Sequence, residues 1–147
     1  LVLIPKLLTL KMLTMKKIAK ENGILLKEHN CDYLNLEQVQ LRRQYGINAI
    51  NIAPEFGVIQ SNLTYNISKQ LGLDKEINFF KKLVLRKEKW RKWNYNNENN
   101  LIKFFTAGHY HFGTKIYKNI IHKINKKVNF QNKLNKTIEN NLLRYFN

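Results

Sequence analysis

The sequence predicts an α/β fold for residues 1–73 and a basic helical extension for residues 74–147. In the first part, helical and strand-like patterns alternate, which is the order of β/α units with parallel strands. In the second part, apolar residues recur at helical spacing among many lysines. We therefore expect two domains that meet near residue 73.

The first part is expected to contain a helix, a strand, a second helix and a second strand. Gly23 ends the first helix, because glycine takes the left-handed conformation at low cost. Residues 24–29 begin apolar and end polar, as in a buried parallel strand whose end opens onto a site. A helix over about 36–45 leads to the second strand, 49–53, and the proline and glycine of 54–57 end that strand.

The second part is expected to be entirely helical apart from its connections. Asp74 can cap a long helix that runs to about residue 93, with an apolar stripe on one side and lysines on the other. Residues 94–100 are a polar linker. Shorter helices are predicted near 101–106, 115–126 and 131–145.

The positive charge is concentrated in the second part. The chain has 26 Lys and Arg against 10 Asp and Glu, a net charge of +16. Residues 1–73 hold 9 basic and 5 acidic side chains, net +4, and residues 74–147 hold 17 and 5, net +12. Such a charge attracts phosphate-bearing partners of any kind, but a solvated, Lys-rich surface is the better explanation. The charge alone therefore identifies no partner.

Several observations indicate the compartment. Cys31 is the single cysteine and has no partner for an internal disulfide, which fits a reducing compartment. The apolar start lacks the features of a signal peptide, and no run approaches the ~20 apolar residues of a membrane helix. We expect a cytoplasmic protein with no membrane partner. The chain opens with leucine and runs straight into a helix, so we also expect sequence upstream of it.

Polar side chains gather at the two predicted strand ends, where parallel strands of β/α folds build their sites. Alternation places Lys27 and His29 on one side of the first strand and Glu28 on the other, and we expect Lys27 and His29 to face the interior. His29 could move a proton, Lys27 could hold a phosphate as a point charge, and Glu55 could orient either one. Alternatively, His29 and Glu55 only hydrogen-bond the surrounding loops. The predicted site has His29 and Glu55 as catalytic residues, Lys27, Asn30, Asp32 and Asn51 as substrate-binding residues, and no metal ligand.

Two other segments leave alternatives open. His109 and His111 lie between glycines and could form a metal-ligand pair, but they would need a third ligand from elsewhere, such as His29. Trp90 and Trp93 lie among basic residues, as in a nucleic-acid surface, although the same spacing places them on a packing stripe. We expect packing, with nucleic-acid binding through residues 74–147 as the alternative function.

Residues 26–33 and 46–57 resemble the non-catalytic subunit family of class II tagatose-bisphosphate aldolase. In that family, a strand ending in His-x-x-Asp-Tyr is followed by a helix and then by a strand ending in a Gly-Pro or Ala-Pro turn. The order and separation of the two segments carry the resemblance more than either segment does. The matching residues here are His29, Asp32, Tyr33, Ala53 and Pro54.

The resemblance implies the C-terminal part of a TIM (β/α)8 barrel followed by the basic helical extension. It also implies a cytoplasmic protein of carbohydrate metabolism that binds a phosphorylated sugar and assists a catalytic aldolase subunit. The first strands of the family's barrel, where much of a phosphate and metal site is expected, have no counterpart in this chain. The cofactor is therefore unknown. A third hypothesis is that the chain is itself a class II lyase that uses a divalent metal.

Overall fold

A computed structural model of the protein describes residues 6–93 and 99–146. Helices account for 73% of it, and one sheet of two short parallel strands is present among these residues. The chain divides into two compact units. The first unit comprises the residues up to Ala53 together with those from Leu143 onward, and the second comprises Pro54–Leu142.

The first unit has one helix before the sheet and one between its strands. The elements in order are α1 (Lys6–Glu21), β1 (Leu26–Glu28), α2 (Leu36–Gln44) and β2 (Ile47–Ile50). Helix α2 begins with a capping box, in which Asn35 Oδ1 accepts from the Gln38 N–H and Gln38 Oε1 accepts from the Asn35 N–H, both at 2.9 Å. This pair fixes where the chain leaves the loop after β1.

The two strands pair in parallel and are joined by the α2 crossover. Lys27 lies opposite Ala49 and Glu28 opposite Ile50 in the register of the sheet. Glu28 is held from α2 by Arg42, whose Nε and Nη2 donate to the two carboxylate oxygens at 2.8 and 3.1 Å. This bidentate ion pair connects helix α2 to strand β1.

The second unit is built from helices. Its aromatic core joins three of them, because the buried Phe80 ring contacts the buried rings of Phe104 and Tyr117 with centroids 5.7 and 5.2 Å away. The elements are α3 (Pro54–Gln70), α4 (Asp74–Arg86), α5 (Asn100–Ala107), α6 (Lys115–Asn125) and α7 (Phe130–Phe146), with 3₁₀ turns at Lys89–Trp93 and Gly108–His111. The last residues of α7 belong to the first unit.

The expected α/β barrel is wrong for the part of the chain that the structure describes, which is mostly α-helical. The described residues contain two strands, of 3 and 4 residues, whereas a closed barrel of this type has eight strands. The predicted first strand, residues 24–29, is shortened to Leu26–Glu28. Ile24 and Leu25 lie outside the strand and are 57% and 80% exposed. Their apolar character predicted a buried strand that begins at residue 24, whereas β1 begins at Leu26.

The predicted bounds in the second half also change. The helix from Asp74 ends at Arg86 instead of continuing to about 93, and Glu88 then takes a positive φ of 51°, which α-helical geometry does not allow. The structure divides the chain after Ala53, within the segment 1–73 that was predicted as one domain. Residues 1–5 and most of the predicted 94–100 linker lie outside the described residues.

No helix in the described ranges has both the length and the apolar character needed to cross a membrane.

Helix α3 makes a close contact through small residues in the second unit. A Cβ added to Gly57 would lie 2.7 Å from His109 Cβ, and one added to Gly108 would collide with Ser61 Oγ and lie 3.2 Å from Ser61 Cβ. Ser61 is fully buried, and its hydroxyl donates to the Gly57 carbonyl at 2.8 Å, so it has little freedom to move away. The second unit therefore depends on glycine at both positions.

Gly108→Ala should lower the free energy of unfolding of the second unit by about 1–3 kcal/mol, the range for an overpacked core. Gly113→Ala is the matched control, because a Cβ there meets no atom within 4 Å. Its expected effect is within about 0.5 kcal/mol. Urea unfolding followed by the fluorescence of Trp90 and Trp93 measures both variants, and equal effects would contradict the close packing.

Candidate functional site

Backbone hydrogen bonds bring the two strand ends together. The Asn51 N–H donates to the Glu28 carbonyl, and the Cys31 N–H donates to the Asn51 carbonyl, both at 3.0 Å. His29 and Asn30 lie between Glu28 and Cys31, so the residues that follow β1 lie beside those that follow β2. The carboxyl edge of the sheet thus gathers most of the predicted site residues, as parallel strands require.

The loop after β1 has an unusual backbone. Asn30 and Tyr33 have positive φ values of 60° and 62°, a conformation that non-glycine residues adopt at a cost. A side chain helps to hold this loop, because Asp32 Oδ1 accepts from the Ala53 N–H at 3.1 Å. The loop conformation is therefore fixed by bonds to the residues that follow β2.

Lys27 and His29 are exposed, whereas Glu28 between them is partly buried. Neither the Lys27 ammonium nor the His29 imidazole takes part in a hydrogen bond or ion pair within residues 6–93 and 99–146. Both groups can therefore meet a ligand without first breaking a bond inside the protein. We refer to Lys27, His29, Asn30, Asp32 and Asn51 as the strand-end cluster.

Glu55, the second predicted catalytic residue, belongs to the second unit. It lies in the first turn of α3 and is only 2% exposed. The strand-end cluster of the first unit therefore includes His29 but not Glu55.

Sequence patterns did not indicate the part that Tyr145 plays at the strand ends. Its hydroxyl donates to the Cys31 carbonyl at 3.1 Å, across 114 positions of the chain. Nothing near Tyr145 in the sequence distinguishes it from other aromatic residues at the end of a helix. A contact this distant in sequence becomes visible only in the folded chain.

His109 and His111, two of the three histidines of the second unit, are partly buried. Burial lowers the pKa of His109 below its ordinary value, against a smaller raising effect of the Thr106 backbone. Burial also lowers the pKa of His111, and the positive charges of Lys87 and Lys89 lower it further. Residues 6–93 and 99–146 contain no group of three His, Cys, Asp or Glu side chains able to hold a metal ion. The cationic surroundings also disfavour a metal at these histidines.

The basic-aromatic segment of the second unit uses one of its tryptophans for packing. Trp90 lies against the hydrophobic core, and its Nε1 donates to the Leu85 carbonyl at 3.2 Å. Lys103 Nζ lies 4.3 Å and Arg91 Cζ 5.1 Å from the centre of the indole, so cations already occupy positions over the ring. Trp93 is 36% exposed. A nucleic-acid base would compete with these cations for the Trp90 ring.

Comparison of the chain with protein-family models, with curated proteins and with solved structures found no match. The family resemblance of residues 26–33 and 46–57 therefore stays a hypothesis, and the geometry of the strand-end cluster has to support any function.

The stability of the second unit should fall as the pH is lowered from about 7.5 to 5.5. An imidazole whose pKa is lowered by folding is neutral in the fold, but the unfolded chain protonates near the ordinary pKa of about 6.5. The free energy of unfolding is therefore highest above the pKa of the unfolded chain, and it decreases as the pH falls from that pKa towards the lower pKa of the folded state.

Urea unfolding at the two pH values measures the loss, and NMR titration of the imidazole protons measures the two pKa values. His111→Gln should reduce the pH dependence. Titration of His109 and His111 at or above the ordinary pKa would contradict their burial.

Proposed function

We propose that the chain is an accessory, non-catalytic subunit of sugar-phosphate metabolism that binds a phosphorylated ketose at the strand-end cluster. The observation that carries this proposal is the adjacency of the polar residues that follow β1 and β2 at the carboxyl edge of a parallel strand pair, in a loop held by hydrogen bonds. The resemblance to the tagatose-bisphosphate aldolase non-catalytic subunit supports the same substrate class.

The side chains of the cluster offer complementary interactions to a sugar phosphate. Lys27 carries a positive charge that can meet a phosphate, and it has no acidic partner within the described residues. Asn30 and Asn51 each offer an amide that can both donate to and accept from sugar hydroxyls. His29 can donate a proton or a hydrogen bond from its ring. A phosphate and several hydroxyls on one small molecule would use these groups together.

The cluster favours binding over independent catalysis. Acid–base catalysis of aldol cleavage needs a positioned proton acceptor and a stabiliser for the enolate charge. In the first unit, His29 is exposed, and the Asp32 carboxylate already accepts a hydrogen bond from the Ala53 backbone. We therefore assign the proton-transfer chemistry to a catalytic aldolase subunit and ligand binding to this chain.

Isothermal titration calorimetry with fructose 1,6-bisphosphate, a ketose bisphosphate, tests the proposal on the full chain. Lys27→Gln and His29→Gln should each raise the Kd about tenfold, equivalent to about 1.4 kcal/mol of binding free energy. Fructose without phosphate should bind far more weakly, because the Lys27 charge then has no partner.

Lys20→Gln is the matched control. Lys20 is an exposed lysine of α1 in the same unit, and its substitution removes the same charge as Lys27→Gln. An equal effect of both lysine variants would mean that the overall charge of +16 attracts the phosphates and would sink the proposal. Absence of binding by the unsubstituted chain would also reject it. Tight RNA binding that weakens steeply with salt would favour the nucleic-acid alternative.

A further inference from the structure

Both backbone polar groups of Cys31 are used to hold the loop after β1. Cys31 is fully buried, its N–H donates to the Asn51 carbonyl at 3.0 Å, and its carbonyl accepts from the Tyr145 hydroxyl at 3.1 Å. Asn30 precedes it with a positive φ. A costly backbone conformation persists only where the surroundings hold it, and Cys31 is the point at which this loop is held from two directions.

Tyr145 is itself fixed at both ends. It is only 4% exposed, and its carbonyl accepts from Arg43 Nη2 at 2.6 Å near the end of α7. At the other end, Arg144 Nη2 donates to the Tyr145 hydroxyl at 3.1 Å. The hydroxyl accepts from a cation and donates to Cys31, and such a chain of bonds strengthens each member. The position of the Tyr145 hydroxyl is therefore determined by the bonds of Tyr145 to Arg43 and Arg144 as well as by the loop that it contacts.

We propose that Tyr145 is a positioning residue of the strand-end cluster, whose hydroxyl fixes the Cys31 carbonyl and thereby the placement of His29, Asn30 and Asp32. The predicted effect of Tyr145 on ligand affinity rests on the proposed function. The predicted effect of Tyr145 on the loop conformation is independent of it. The residues act as one preassembled unit because all of these contacts lie within the first unit. Preassembly lowers the ordering cost that a ligand would otherwise bear.

Removing the hydroxyl should loosen the loop without unfolding the protein. Tyr145→Phe keeps the ring that fills the buried position but leaves the Cys31 carbonyl without its donor. The loop is then held by fewer bonds, among them those that join Cys31 to Asn51 and Asp32 to Ala53. His29 and Asn30 would sample positions away from the ligand-binding arrangement.

Amide hydrogen exchange and calorimetry on the same variant test the proposal. In Tyr145→Phe, the Cys31 amide should exchange about tenfold faster, while the Val39 amide inside α2 keeps its rate. The Kd for fructose 1,6-bisphosphate should rise about fivefold with little change in the melting temperature, because preorganisation is lost while the packing stays. Tyr110→Phe is the control, since Tyr110 is an exposed tyrosine of the second unit. It should change neither quantity.

Each outcome decides the proposal. Unchanged exchange at Cys31 overturns it, and so does faster exchange with an unchanged Kd. If the unsubstituted chain binds no ketose bisphosphate, the proposed function fails, and the exchange rate alone decides whether Tyr145 positions the loop. If Tyr145→Phe does not fold, Arg144→Gln is measured instead. It removes a donor to the hydroxyl but keeps the bond from the hydroxyl to Cys31, so the Cys31 amide should exchange faster by a smaller factor, and unchanged exchange would overturn the proposal.

Discussion

Two backbone hydrogen bonds, from the Asn51 N–H to Glu28 and from the Cys31 N–H to Asn51, keep the strand ends of the first unit side by side. The sheet has only two strands, so few other ladder bonds support this edge. The bonds from the Ala53 N–H to the Asp32 carboxylate and from the Tyr145 hydroxyl to the Cys31 carbonyl support the same edge. The backbone that carries the strand-end cluster is held by this small set of contacts.

The two units are stabilised by different means. The second unit has a continuous core of aromatic and aliphatic side chains and a helix contact that glycines make possible. The first unit buries few apolar residues, and its specific contacts are mostly polar, such as the Arg42–Glu28 pair and the Asn35 capping box. Polar contacts define geometry well but contribute modest net stability. This division fits the proposal that the first unit binds a ligand while the second unit supplies most of the stability.

Local patterns predicted part of this arrangement. Alternation predicted that Glu28 lies on the opposite side of the strand from Lys27 and His29, and Glu28 is indeed partly buried while the other two are exposed. The expectation that Lys27 and His29 are the inward-facing pair was wrong, because alternation does not determine which side of a strand is covered. The extent of the sheet was not predictable, because Ile24 and Leu25 are apolar and yet exposed. Neither was the contact of Tyr145 with Cys31, since residues 114 positions apart meet only through the complete fold. The barrel expectation failed because two strand-like patterns do not determine how many strands a sheet contains.

The most direct test of the central claim is a chemical-shift map of the unsubstituted, isotope-labelled chain during titration with fructose 1,6-bisphosphate. If the strand-end cluster is the ligand site, the amide signals of residues 27–32 and of Asn51 should shift together with one saturating curve. Signals of the basic residues between 74 and 142 should stay in place. Shifts spread over those basic residues, or no saturable shift at the strand ends, would contradict the account.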